Sequence, residues 1–290
     1  MPTTAEQAGQ TPSDVRRKAD IAQGFDLVAD SFGSGSGSFF ENVGRRLVAQ
    51  AGLHPGDRVL DLGCGRGAVL LAAAQAVGAD GYAAGIDLAP EMVRATAAEI
   101  GVRGLRNVAV RVDDAEDPGF PARSFEAVTA GLMMFITPDP AAALASAHRV
   151  LVPGGCFAMS TFAPEDEAWQ RPLRAALAAG GRQAAADEWS RDRGDNGQLD
   201  TPERIADLLT RAGFTEVETV EEAQVSTYAQ AEDWWTSLWS SGRRAALLRH
   251  IPEERRADAR KAAFAELDRL AVDGVLTRST VIRYTTARRP

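Results

Sequence analysis

The stretch that decides the fold is VLDLGCGRG, residues 59–67, which is followed by the run AVLLAAAQAV, residues 68–77. Three of the first four residues are apolar, as in a buried strand, the glycines suit a tight turn, and the second run suits a helix. Glycines in such a turn allow positive φ angles and let a ligand approach the backbone closely. The order of strand, glycine-rich turn and helix therefore predicts an α/β fold with a ligand at the turn.

The glycine spacing does not by itself choose that ligand. Gly63, Gly65 and Ala68 also satisfy the dinucleotide-binding pattern, with Asp87 near the position that binds a ribose. Asp61 separates the alternatives, because a carboxylate at the end of the strand repels a pyrophosphate and attracts a cation. A ligand that carries an ammonium and a sulfonium group, such as S-adenosylmethionine, meets this requirement.

Outward from this stretch, apolar runs alternate with helical patterns between residues 57 and 162. Short runs of the kind covered on both faces of a sheet lie at residues 58–62, 82–87, 108–112, 125–130 and 155–162. Helical patterns between the runs cover residues 67–77, 90–100 and 140–151. This alternation predicts a doubly wound, parallel sheet.

The rest of the chain is more helical. A sixth strand is predicted within residues 214–228 and a last strand within residues 275–287. We expect residues 1–13 to be a disordered N-terminus and residues 14–56 to form a helical cap segment. Residues 57–162 are expected to form a cofactor-binding core, and residues 163–290 the rest of the sheet with helical cap insertions. The glycine- and serine-rich residues 33–38 suit either a plain loop or the hinge of a lid.

Composition narrows the class of partner. The chain has 290 residues and a formal charge of −8, the wrong sign for wrapping nucleic acid or an anionic membrane. Cys64 and Cys156 are its two cysteines, and no apolar run is long enough to cross a bilayer. We expect a cytoplasmic, reduced protein that binds no nucleic acid and no membrane, and a homo-oligomer is compatible with the sequence. No metal site is predicted.

With these features in place, the chain resembles the class I S-adenosylmethionine-dependent methyltransferases of the branch that modifies small molecules. The match covers roughly residues 40–162, and it implies a Rossmann-like, mostly parallel seven-stranded sheet with an antiparallel last strand and a helical cap. By resemblance, the glycine-rich turn holds the cofactor through Asp61, Gly63, Cys64, Gly65 and Gly67.

Further landmarks follow in the order of this family. The resemblance implies that Asp87 binds both ribose hydroxyls, which suits the two acceptor oxygens of a carboxylate. Asp114, in the step DDAE at residues 113–116, would accept the adenine amino hydrogen. The adenine and methionine parts of the cofactor would be flanked by Leu88, Met92, Ala115 and Gly131.

Glu126 stands where the family has aspartate, and RVLVPGG, residues 149–155, is similar to the turn before strand five of the family. Each landmark alone has a structural explanation: the glycines would only serve the turn, and Asp87 would only cap the following helix. The order and spacing of all the landmarks favour the functional interpretation.

The sequence says less about the methyl acceptor than about the cofactor. No Asn-Pro-Pro-Tyr-like tetrad follows strand four, which disfavours methylation of a nucleobase amino group. The candidate lining of an apolar acceptor pocket is Phe39, Phe40, Met133, Met134 and Phe135, with core packing as the equal alternative. Trp234, Trp235 and Trp239 are predicted to pack the cap, or else to cover an aromatic acceptor.

No general base is assignable, and none of His54, His148 and His250 is expected to act as one. The leading hypothesis is methyl transfer to oxygen, nitrogen or carbon of a small, largely apolar metabolite in bacterial secondary metabolism. The alternative keeps the bound cofactor but performs cyclisation or decarboxylation. A nicotinamide oxidoreductase is disfavoured, because Asp61 is ill-placed for it and both lysines, Lys18 and Lys261, are predicted to lie outside the core.

Overall fold

A computed structural model describes residues 12–33, 38–191, 197–240 and 242–290 of the chain. The strands within these residues are β1 (Arg58–Leu62), β2 (Tyr82–Asp87), β3 (Val108–Val112), β4 (Phe125–Gly131), β5 (Leu151–Phe162), β6 (Thr215–Tyr228) and β7 (Leu276–Arg288). They form a seven-stranded sheet in the order β3-β2-β1-β4-β5-β7-β6. Strands β1 to β5 pair in parallel, whereas β7 runs antiparallel to both β5 and β6.

Helices connect and cover these strands. Those before β5 are α1 (Pro12–Asp26), α2 (Phe39–Ala51), α3 (Ala68–Val77), α4 (Pro90–Val102) and α5 (Pro140–Val150). Those after β5 are α6 (Glu167–Ala179), α7 (Gln183–Arg191), α8 (Pro202–Arg211), α9 (Ala231–Trp239), α10 (Gly242–Arg249) and α11 (Arg256–Leu267). Short 3₁₀ turns lie at Met134–Ile136 and Glu253–Arg255.

The predicted sheet, doubly wound and mostly parallel with an antiparallel last strand, is confirmed. The turn predicted before strand five, near residues 153–155, does not precede the strand in the structure. Strand β5 already begins at Leu151, which pairs with Phe125. The register shifts before Ala127, and Gly154 has a φ of 77°. The proline and glycines therefore form an irregularity within a strand, because the backbone pairs with β4 on both sides of them.

The N-terminal predictions are only partly covered by the described residues. Helix α1 begins at Pro12, so residues 12 and 13, expected to be disordered, are helical. Residues 1–11, and residues 34–37 of the expected loop or hinge, lie outside the described residues.

Apolar cores fill both faces of the sheet. On one face, α5 and α8 pack on the strands through side chains such as Leu144 and Ile205. On the other face, α2 and α3 pack through Leu47 and Val69, and the end of α4 packs beside α3 through Ile100. Burial of a large apolar side chain contributes about 1.5–3 kcal/mol, so this two-sided covering is the main stabilisation of the parallel strands.

The cap has a core of its own. Trp234 and Trp235 are buried there with Leu173 of α6, and Tyr228 and Leu276 join them from β6 and β7. The tryptophans thus pack the cap helices onto the ends of the last strands. None of the described helices is long and apolar enough to cross a membrane.

Helices α2 and α3 touch through their backbones. A Cβ atom on Gly44 of α2 would lie 2.4 Å from the carbonyl oxygen of Ala68, at the start of α3. Real side chains do not tolerate that distance, so glycine is required for this close approach. Helix α2 is therefore seated directly on the helix that leaves the glycine-rich turn.

Candidate functional site

A cleft of about 470 Å³ opens at the carboxyl ends of β1, β2 and β4. Ligands of open α/β sheets bind at this edge, where the strand order reverses. All of the predicted cofactor residues line it: Asp61, Gly63, Cys64, Gly65, Gly67, Asp87, Leu88, Met92, Asp114, Ala115 and Gly131. Their individual roles stay predictions, but the structure brings them together in one cavity.

The glycine-rich turn leaves backbone facing the cleft. At Gly63 the φ angle is 61°, and an added Cβ would lie 2.9 Å from the Cβ of Met133. At Gly65 an added Cβ would meet no atom within 4 Å. The hydroxyl of Thr96, on α4, donates a hydrogen bond to the carbonyl oxygen of Gly65 at 2.7 Å. The turn is thus held from behind while its front is open to a ligand.

Asp61 is a buried carboxylate with one oxygen left over. Its Oδ1 accepts a hydrogen bond from the hydroxyl of Thr129 at 2.8 Å, whereas its Oδ2 is buried and has no partner among the described residues. Burial raises the pKa of Asp61 to about 7, the Thr129 hydrogen bond lowers that pKa, and the charge of Asp87 raises it. An orphaned, desolvated oxygen of this kind is best satisfied by a cationic donor.

Asp87 connects the turn to the next helix. Its Oδ2 accepts from the backbone N–H of Gly65 at 2.8 Å, and its Oδ1 accepts from the N–H of Ala89 at 2.9 Å. Burial raises the pKa of Asp87, and these backbone hydrogen bonds oppose the rise. Asp87 therefore does hydrogen-bond to the backbone at the start of α4, as the structural explanation requires. Each of its carboxylate oxygens still keeps a second lone pair that can accept from a ligand hydroxyl.

Asp114 is paired with a residue that the sequence reasoning missed. The ammonium of Lys18, on α1, lies 2.7 Å from Oδ2 of Asp114 and 2.5 Å from Oε2 of Glu116. Lys18 lies outside the cofactor-binding core, on α1, as predicted, but α1 folds back over the cleft and places the ammonium against two carboxylates of its lining. A usable signal was present: Lys18 shares a helical face with Ile21 and Phe25, which both line the cleft.

The predicted acceptor residues divide into three groups. Phe40 and Met133 line the cleft. Phe39 and Phe135 lie behind the cleft lining and contact the ring of Phe162, with centroid distances of 6.4 and 5.5 Å. For Met134 the prediction of a pocket position is wrong: it is fully buried in the sheet core, because the 3₁₀ turn after β4 directs it inward.

The aromatic contacts form a continuous row, which we call the phenylalanine belt. Its members, in order of contact, are Phe25, Phe32, Phe40, Phe39, Phe162 and Phe135. Phe25, Phe32 and Phe40 line the cleft, and Phe162 is 39% exposed. The belt therefore joins the apolar lining of the cleft to the partly exposed ring of Phe162 through the rings packed behind that lining.

The titratable groups expected to be uninvolved lie elsewhere. His54 is exposed beside Asp57, His148 packs edge-on against Phe214, and the ring of His250 contacts the backbone oxygen of Ala246. Burial lowers the pKa of His148. At the other end of β4, the Arg58 guanidinium lowers the pKa of Glu126.

Comparison with known proteins agrees with this cleft. A family model described as a methyltransferase domain matches residues 59–155. The chain is 38% identical over 271 residues to nocamycin O-methyltransferase of Saccharothrix syringae, covering 91% of this chain and 96% of the relative. It is 43% identical over 148 residues to aklanonic acid methyltransferase DauC of Streptomyces sp. strain C5, covering 51% and 67%. The solved YcgJ protein of Bacillus subtilis shares the fold, with a TM-score of 0.56, 19% identity and coverage of 86% and 99%.

Both sequence relatives are named as methyltransferases, and neither favours cyclisation or decarboxylation. The residues present also fit a cofactor with a cationic end, because Asp61 offers an orphaned oxygen and the backbone at Gly65 is open. The cofactor is S-adenosylmethionine. The chain belongs to the class I S-adenosylmethionine-dependent methyltransferases that modify small molecules.

Proposed function

We propose that this enzyme methylates an oxygen atom of a largely apolar natural product in bacterial secondary metabolism. The observation that carries the proposal is the phenylalanine belt, three of whose rings give the cleft an apolar lining. Ligand pockets that take apolar molecules are lined in this way. The names of the relatives add support, since one is an O-methyltransferase and the other acts on aklanonic acid.

We assign the cofactor contacts as follows. The orphaned Oδ2 of Asp61 accepts from the ammonium group, and the free lone pairs of Asp87 accept from the ribose hydroxyls. Asp114 accepts from the adenine amino group, and Leu88 and Met92 pack against the ring. The bound cofactor supplies an electrophilic methyl group on a sulfonium.

The protein's part in the reaction is alignment and exclusion of water. Met133 lies against the glycine-rich turn and Phe40 lines the same cleft, so an acceptor held between them is oriented toward the methyl donor. All three histidines of the chain lie away from the cleft. An acceptor oxygen that is ionised near neutral pH, such as a carboxylate or an acidic enol, needs no imidazole base and is therefore the class that fits best.

The acceptor is proposed to be a free small molecule and not a nucleic acid, because the chain carries a formal charge of −8. A cytoplasmic location is likewise proposed. It is supported by the buried, unpaired thiols of Cys64 and Cys156, which suit a reducing compartment.

The proposal is tested with purified enzyme and methyl-labelled S-adenosylmethionine. Acceptors are presented as matched sets in which one apolar polycyclic skeleton carries a carboxyl, an acidic enol, a phenol or an amine. We expect label in the oxygen acids, with a product mass one methylene unit higher and the methyl placed on oxygen by NMR. Preferential labelling of the amine, or of a hydrophilic acceptor of the same acidity, would overturn the proposal. Product formation without label would indicate a reaction other than methyl transfer.

A further inference from the structure

Lys18 lies outside the sheet and contacts two carboxylates of the cleft lining. It lies on α1, and its side chain is only 8% exposed although lysine is the most strongly hydrated cation of proteins. It forms ion pairs with Asp114 and Glu116, which both line the cleft. The other lysine of the chain, Lys261, is exposed on α11.

The two carboxylates are held on their remaining sides by backbone. Oδ1 of Asp114 accepts from the N–H of Glu116 at 2.9 Å, and Oε1 of Glu116 accepts from the N–H of Asp139 at 2.9 Å. Lys18 takes the other oxygen of each carboxylate. Both oxygens of Asp114 are thus fixed in direction, and the second lone pair of its Oδ2 is left to face a ligand.

One cation between two carboxylates keeps its proton. Burial lowers the pKa of Lys18, the hydrogen bonds and charges of Asp114 and Glu116 raise it, and the net change is upward. The ammonium therefore stays charged on α1. If it were removed, two acidic groups would stand together at the edge of the cleft without the ammonium that pairs with both.

The same contact holds α1 over the cleft. Ile21 and Phe25 of α1 line the cavity, and Oδ1 of Asp26 accepts from the N–H of Glu91 at the start of α4. After the helix, the guanidinium of Arg66 donates to the carbonyl oxygen of Ala29 at 2.5 Å. Lys18, in the middle of α1, is the further contact that holds this helix beside Asp114.

We propose that Lys18 is a positioning residue for the cofactor: it orients Asp114 toward the adenine amino group and keeps α1 closed over the nucleobase. This rests on the proposed adenine role of Asp114. Lys18 acts through Asp114 and does not touch the reacting atoms. Two consequences follow, namely that the preference for adenine over a base without the amino group depends on Lys18, and that release of the cofactor product quickens without it.

The test compares K18M, K18R and the control K261M, which changes the exposed lysine. Binding of S-adenosylhomocysteine and of S-inosylhomocysteine, which carries oxygen in place of the amino group, is measured by calorimetry. Release rates are measured by stopped-flow fluorescence. We expect K18M to bind S-adenosylhomocysteine about tenfold or more weakly than the wild type, as for loss of a charge-assisted hydrogen bond. Its affinity for S-inosylhomocysteine should fall much less. K18R should recover part of the adenine preference, and K261M should behave as the wild type.

Equal weakening of both ligands in K18M would show that Lys18 only holds α1, and it would overturn the positioning role. Unchanged binding would overturn the whole inference. Failure of the wild-type chain to bind either ligand would instead contradict the proposed site. If K18M does not fold, K18Q provides the second test, because its side chain is shorter and uncharged and Asp114 loses its ion pair. The adenine preference should fall in K18Q, and an unchanged preference there would also overturn the proposal.

Discussion

The substitution Asp61→Asn is expected to have opposite effects on stability and on cofactor binding. It keeps the size of the side chain and an oxygen that accepts from Thr129, but it removes the buried charge. In the unliganded enzyme, Oδ2 of Asp61 is buried without a partner among the described residues. The amide therefore relieves a cost in the free enzyme and removes the anion that receives the ammonium of the cofactor.

The stability effect has a definite sign with pH. The pKa of Asp61 is raised from 3.8 to about 7, so between these values the folded chain holds a proton that the unfolded chain has lost. The free energy of unfolding contributed by this group therefore falls as pH rises through that window, by a total on the order of 4 kcal/mol. Asp61→Asn abolishes the fall, so the variant without ligand should melt higher than the wild type at pH 8.

The binding effect has the opposite direction. At pH 6, about one unit below the pKa of Asp61, about a tenth of the wild type has the carboxylate ionised, so S-adenosylhomocysteine should bind about tenfold more weakly than at pH 8. Loss of a charge-assisted hydrogen bond costs about 1.5–3 kcal/mol, so Asp61→Asn should weaken binding by about tenfold to a hundredfold at pH 8. Its affinity should no longer vary between pH 6 and 8.

Calorimetric titration at pH 6, 7 and 8, with melting curves at the same pH values, measures both effects. Thr129→Val is the matched variant, because loss of the donor raises the pKa of Asp61 further and should move the pH dependence upward. Glu126→Gln is the control, since that acid lies at the opposite end of β4. Binding by Asp61→Asn within twofold of the wild type, or a lower melting temperature at pH 8, would refute the electrostatic role.

Three further outcomes are expected. Asp87→Ala should weaken the binding of S-adenosylhomocysteine, measured by calorimetry, by more than about tenfold, because the ribose diol and the N–H of Gly65 both lose their acceptor. Unchanged affinity would contradict the ribose assignment. Gly63→Ala should lower both the melting temperature and cofactor affinity, since a Cβ would lie 2.9 Å from Met133 at a φ of 61°; scanning fluorimetry that shows no shift would count against this. Phe40→Ala should raise the KM for the acceptor and leave the Kd of S-adenosylhomocysteine within twofold, and an equal change in both would argue against an acceptor role.

The cleft was predictable because its residues are local in sequence. Asp61 and Gly63 end one strand, Asp87 ends the next, and the carboxyl ends of neighbouring parallel strands meet at one edge. Spacing within a strand-turn-helix unit is enough to place such residues.

The position of Lys18 was not predictable in the same way. Its contact with Asp114 joins residues 96 positions apart. The helical pattern shows that Lys18 shares a face of α1 with Ile21, but it does not show where that helix packs. Met134 shows a second limit. Its neighbour Met133 lines the cleft while Met134 enters the core, because a 3₁₀ turn after β4 decides which side chain points inward.

The close approach at Gly44 fixes the distance between helices α2 and α3. Helix α2 carries Phe40, while Ala68 begins the helix that follows the donor turn, and a Cβ at Gly44 would come within 2.4 Å of the carbonyl of Ala68. Displacement reactions lose about a hundredfold in rate when the partners are misplaced by about 1 Å. The absence of a side chain at position 44 thus keeps the proposed acceptor contact close to the methyl donor.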